Sequence, residues 1–157
     1  MAALSENLLL AAAREEIEAF HGFFDDWFRG DVPKDETLLE AGHSDRLAED
    51  FQLTYPGGIT MGKRGLVTSV GKAHGCSAEF GVQIRDVRLR PLACEDYIFV
   101  NYEEWQKNAV NSTPSNNARI SSALFRIIAH DPVKLEWLHL HETWLPRAVM
   151  DAGPFDF

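Results

Sequence analysis

The chain has 157 residues, 45% of them hydrophobic and 25% charged, a composition that one globular core accommodates and a disordered chain does not have. Fifteen basic residues against 24 acidic ones leave a formal charge of −9, which repels phosphate backbones and anionic lipid surfaces and argues against nucleic acid or membrane as partners. Two cysteines, Cys76 and Cys94, make neither a disulfide framework nor a zinc cluster and are expected as buried, reduced thiols of a cytoplasmic protein.

Ser5 is a helix cap, and after it Ala13, Ile17, Phe20, Phe24 and Trp27 recur every three or four residues as one apolar stripe. Opposite lie Arg14, Glu15, Glu18 and Asp25, and Gly30 with Pro33 ends the helix. The apolar run before Arg14 has no basic flank and carries Glu6, so it reads as helix rather than signal peptide. The aromatic stripe is read as core rather than as a ligand cage. Residues 34–50 form one or two short helices interrupted at Gly42, with Ser44 capping a turn over residues 45–50. Residues 51–55 and 59–61 make a hairpin around Pro56-Gly57-Gly58, and residues 63–74 a helix that Gly75 breaks.

From Phe80 the pattern turns to strands. Phe80, Val82 and Ile84 alternate, then Val87 and Leu89 alternate in the opposite phase, a slip that a β-bulge near Arg85-Asp86 produces. Arg85, Arg88 and Arg90 on this strand read as a solvated face. Residues 97–106, 118–130 and 135–145 follow as three strands of an antiparallel meander, and residues 146–157 as an irregular tail. Helices first and strands last give an α+β domain spanning 1–157, with helices packed on one face of a highly curved antiparallel sheet.

The passage Leu47-Ala48-Glu49-Asp50-Phe51-Gln52-Leu53-Thr54-Tyr55-Pro56-Gly57-Gly58, followed by Met61-Gly62-Lys63-Arg64-Gly65-Leu66, resembles the helix, hairpin and third-helix entry of nuclear-transport-factor-2-like proteins. Arg119-Ile120-Ser121-Ser122-Ala123-Leu124-Phe125-Arg126 and Trp137-Leu138-His139-Leu140-His141-Glu142-Thr143 resemble the last two strands of the SnoaL-like branch and of the calmodulin-dependent kinase association domain. The resemblance implies a cone of bent sheet closed by helices, also described as cystatin-like, with an internal pocket and a homodimer formed through the sheet. It spans isomerases, dehydratases, cyclases, transport factors and assembly domains, so it leaves the function open.

On a regular strand Trp137, His139 and His141 share a face, and Leu138, Leu140, Glu142 and Trp144 share the other. The final strand of the resembled family suggests that the histidine set faces the pocket, leaving the other on the convex face. A pocket histidine near neutral pKa is a natural general acid or base. His141 and His139 are thus the candidate catalytic pair, oriented by Glu104, with Glu103 as competitor on the opposite face of its strand. Tyr55, His74, Tyr102, Arg119 and Trp137 are the candidate pocket residues, and Arg119 suits a ligand oxyanion. A metal at His139 and His141, with Glu104 or His74 as third ligand, is weighed and set aside. The expectation is a cofactor-free isomerase, dehydratase or cyclase acting on an apolar carbonyl compound; the alternatives are purely structural histidines and a non-catalytic dimerisation or ligand-sensing module.

Overall fold

The computed structural model describes residues 4–90 and 92–157. Helix α1 (Glu6–Arg29) starts at Ser5, whose hydroxyl accepts from the Leu8 amide, and stops at Gly30, whose φ of 78° needs a residue without Cβ. Helix α2 (Glu36–Gly42) follows, then a 3-10 turn over Ser44–Arg46. Strand β1 (Leu47–Thr54) and strand β2 (Thr60–Gly62) form the hairpin, and α3 (Lys63–Lys72) leads to β3 (Gly81–Arg90), β4 (Tyr97–Lys107), β5 (Asn117–His130) and β6 (Val133–Trp144). The turn expected over residues 45–50 is shorter than read, because Leu47 and Ala48 are buried and the strand already begins there.

The six strands lie in the order β2-β1-β6-β5-β4-β3. All neighbours pair antiparallel except β1 and β6, which run parallel. The sheet is therefore mixed and open rather than wholly antiparallel. The C-terminal strand enters between the first hairpin and the meander, an arrangement that local patterning does not encode. In β3 the pairing shifts between Arg85 and Arg88, with Asp86 at φ 56°, so the phase slip in the sequence is a bulge.

Helix α1 packs on β3 and β6 across the inner face of the sheet. Ala13, Ile17, Phe20 and Trp27 are buried there, and Trp137, wholly buried, has its ring centre 4.6 Å from that of Phe20 and 4.4 Å from that of Phe125. The Trp27 indole donates to the Val70 carbonyl at 2.8 Å, tying α1 to α3. The tail is not irregular. Helix α4 (Arg147–Ala152) and the following Phe155 and Phe157 fold over the outer face, where Trp105, Ala118 and Met150 form a second small core. The expectation for the cysteines is also corrected, since Cys76 and Cys94 are both exposed. No described helix is long and apolar enough to cross a membrane.

His43 is fully buried among Phe20, Phe23 and Phe24, and neither ring nitrogen has a hydrogen-bond partner. Burial, reinforced by the positive charges of His21 and Arg46, lowers its pKa to about 4 from an ordinary 6.5. Between those values the unfolded chain binds the extra proton, so this group removes stability as pH falls through that window, by about 3 kcal/mol in all. Urea unfolding of the wild type and of His43→Leu from pH 7.5 down to 4 checks this. The difference between them should move in favour of the variant by about that amount; parallel curves would contradict it.

Candidate functional site

Between α1, α3, the β1–β2 hairpin and the inner face of the sheet lies a cavity of ≈ 520 Å³. Phe20, Phe24 and Phe28 of α1 line one wall and Phe51, Leu53 and Leu140 another. The first helix thus serves the cavity as well as the core. Its mouth is edged by Ile59 of the hairpin turn and Val110 of the β4–β5 loop, which are 68% and 57% exposed.

The cavity's inner end is polar. His21, Glu104, Gln106, Arg119 and Glu142 all line it. Glu104 and Arg119 are direct cross-strand neighbours on β4 and β5, and Glu142 stands opposite Ser121 on β6, one inward position along the sheet from Arg119. His21, one residue after Phe20 on the apolar stripe of α1, comes down from above. Its Nδ1–H donates to the Ile17 carbonyl at 2.8 Å, which leaves Nε2 facing Glu104 Oε2 at 3.2 Å. The Gln106 amide donates to Glu104 Oε1 at 2.6 Å and accepts from Arg119 Nη2 at 3.0 Å. Arg119 also donates to Asn117 Oδ1 at 2.9 Å and from Nη1 to Glu142 Oε2 at 3.0 Å. Its buried Nε has no partner.

The electrostatics follow from this wiring. Burial works against the charged form of His21, but the charge and hydrogen bond of Glu104 outweigh it and raise its pKa. Burial likewise penalises the Glu104 anion, yet His21 and Arg119 hold it well below the usual carboxylate range. Glu142 has one cation and one anion as neighbours. Its burial dominates, Arg119 offsets part of it, the Glu104 charge adds to it, and the pKa rises to about 7. One carboxylate is thus pinned ionised while the other changes charge near neutrality, an arrangement suited to proton transfer. Tyr55 lines the same cavity, and burial followed by the Glu142 charge keeps its phenol protonated.

Several sequence-derived assignments change. Glu104, Arg119 and Tyr55 line the cavity, but His139 and His141 point away from it. The cause is a bulge in β6. Phe125 pairs with Trp137 and Leu124 with His139, so Leu138 is an extra residue. Trp137 faces inward, and beyond the bulge the inward set is Leu140, Glu142 and Trp144, which reverses the expected faces. Glu104 therefore orients His21 rather than His141. Trp137 lies in the core and donates to Glu16 at 3.0 Å. His74 is spent on the Val32 carbonyl at 2.7 Å. Tyr102 is on the inner face but buried away from the cavity surface. Glu103 faces outward, accepting from the Trp105 indole at 2.8 Å. Among the described residues no three His, Cys, Asp or Glu side chains converge as a metal set. The residues missed from sequence are His21, whose signal was a polar side chain inside an otherwise apolar stripe, and Glu142, which regular alternation puts on the opposite face.

Comparison with known proteins places this geometry. A protein of unknown function from Pseudomonas aeruginosa, described as NTF2-like, superposes with a TM-score of 0.72 at 27% identity, over 86% of this chain and 99% of that one. The fold is nuclear-transport-factor-2-like. A candidate dehydratase of the NTF2-like family from Streptomyces avermitilis is similar at a TM-score of 0.67 and 13% identity, over 90% and 99% of the two chains. A candidate calcium/calmodulin-dependent kinase II association domain from Thiobacillus denitrificans is similar at 0.59 and 15%, over 85% and 94%. No family model and no curated protein matches the sequence. The likeness supports the NTF2-like group as a whole rather than its SnoaL-like branch.

Arg119 is the cation that both carboxylates share, so Arg119→Met should cost about 3 kcal/mol in urea unfolding, the order expected for breaking a buried ion pair. The same substitution should push the Glu142 titration, followed by 13C NMR of the side-chain carboxyl, above 7, because the charge that lowers it is gone. An unmoved titration would show that the two groups are not coupled.

Proposed function

We propose that this protein binds a small, largely apolar carbonyl compound and moves a proton on it without a cofactor, with Glu142 as the general acid or base. The observation that carries the reading is the convergence of His21, Glu104, Arg119 and Glu142, all buried, at the end of a largely apolar cavity. Glu142 has one oxygen committed to Arg119, and its pKa near 7 gives it both protonation states at neutral pH. As a base it removes the proton α to the carbonyl. Arg119, which lines the cavity's polar end, stabilises the enolate oxygen through its positive charge, and the Tyr55 hydroxyl supplies a second donor. Isomerisation, dehydration and cyclisation all begin with this step. The likeness to a candidate dehydratase of the same fold supports that reaction class.

A homodimer formed through the outer face of the sheet, working in the cytoplasm, belongs to the same proposal. The exposed Ile120 on that face supports it. A non-catalytic ligand-binding module is the second reading, favoured by how fully His21, Glu104 and Arg119 occupy one another.

The test is hydrogen–deuterium exchange at the α carbon across a panel of cyclic ketones and enones, followed by 1H NMR. Exchange should accelerate as pH rises through about 7. Glu142→Gln should slow it on the order of 10²–10⁴-fold, the usual contribution of a positioned acid or base. Glu103→Gln, on the opposite face, should leave it unchanged. If Glu142→Gln binds the ketone and exchanges it at the wild-type rate, the assignment fails; binding with no exchange in any protein favours the module.

A further inference from the structure

The bulge that turns Glu142 inward also turns His139 and His141 outward. Both then stand on the same side of β6, two residues and roughly 6.6 Å apart along the strand. Their ring centres are 6.4 Å apart. Neither imidazole makes a hydrogen bond with the described residues, whereas His21 and His74 are each held by one or more. His141 is exposed and His139 half-buried. On β1, whose pairing with β6 is parallel, Gln52 lies beside His139 and Thr54 beside His141. Gln52 is exposed and its side chain is likewise uncommitted.

We infer that His139 and His141 form a chelating site for a divalent first-row transition ion on the outer face of the sheet. The pair has what chelation needs: two imidazole nitrogen donors on a rigid strand, with no competing partner among the described residues and with Gln52, Leu124, Thr54 and Ser122, none of them charged, directly beside them. Metal–nitrogen bonds of about 2.0–2.1 Å would bring the two ring centres to roughly 5 Å. Side-chain rotation at two solvent-facing positions covers that difference without moving the backbone. The amide oxygen of Gln52 and water complete the coordination, and the −9 charge of the chain favours the approach of a cation. Imidazole donors suit copper, nickel and zinc rather than magnesium or calcium, and the affinity should run Cu²⁺ above Ni²⁺ and Zn²⁺. The site is independent of the cavity chemistry, since β6 stands between the two. If two copies pair through this face, one ion serves histidines from both.

Isothermal titration of the full chain with copper, nickel and zinc chlorides tests the site, in a Cys76→Ser, Cys94→Ser background that removes the two exposed thiols as rival ligands. One ion per chain, or one per two chains, is the expected stoichiometry. His139→Ala and His141→Ala should each weaken binding by about tenfold or more, equivalent to ~1.4 kcal/mol or more, and the double variant should lose it with an unchanged melting temperature. Nitrogen hyperfine splitting from two imidazoles in the electron paramagnetic resonance spectrum of the copper form is the second readout. No binding at roughly millimolar metal, or binding that survives the double variant, would overturn the inference.

Discussion

One extra residue in β6 governs what this cavity contains. Up to Trp137 the odd-numbered side chains face the core; after Leu138 the even-numbered ones do. Without the bulge the floor would receive His139 and His141, and Glu142 would sit in solvent. With it, a carboxylate meets Arg119 in a buried site and two imidazoles are released to the outer face. A period of two leaves no intermediate outcome, because a single slip exchanges every side chain between the faces. A further bulge, at Asp86 in β3, shifts the pairing of that strand, which still delivers Ile84 and Leu89 to the core.

The charges behind that floor form a chain with little slack: His21 to Glu104, Glu104 to Gln106, Gln106 to Arg119, Arg119 to Glu142. Two cations and two carboxylates cannot all remain ionised at low cost in so buried a space, and the relief comes at Glu142, which meets the Arg119 cation on one side and the Glu104 anion on the other. Folding therefore raises the proton affinity of Glu142 between 4.5 and about 7, so its stabilising share is lost as pH rises through that window. His43 acts with the opposite sign, its share being lost as pH falls from 6.5 to about 4. The windows overlap between 4.5 and 6.5, where the two groups offset each other. A flat stability profile in mild acid would then be a balance of opposed groups rather than an absence of titration.

Most of the architecture was legible because its signals are local. The Ser5 cap, the Gly30 stop, the aromatic stripe of α1 and the phase slip after Ile84 each depend on residues close in sequence. The parallel docking of β6 on β1 and the folding of Phe155 and Phe157 over Trp105 depend on partners tens of residues away, and no periodicity announces them. Glu104 and Arg119 could be placed at the cavity because β4 pairs with β5 without interruption around them, and Tyr55 because it lies one residue beyond β1 at the hairpin turn. Glu142 could not, because the bulge at Leu138 leaves no glycine or positive-φ residue as a mark. His21 was visible in principle, as a titratable side chain between Phe20 and Phe24 on a buried stripe.

The central claim is that the cavity is a polar-ended pocket in which the reacting end of a ligand meets Glu142 and Arg119. A crystal structure of the protein soaked with a cyclic enone tests it most directly. The carbonyl oxygen should lie within hydrogen-bonding distance of the Arg119 guanidinium, with the α carbon against the Glu142 carboxylate and the ring packed on Phe20 and Phe24. An enone bound in the reverse sense, with its carbonyl at the mouth beside Ile59 and Val110, would contradict the account.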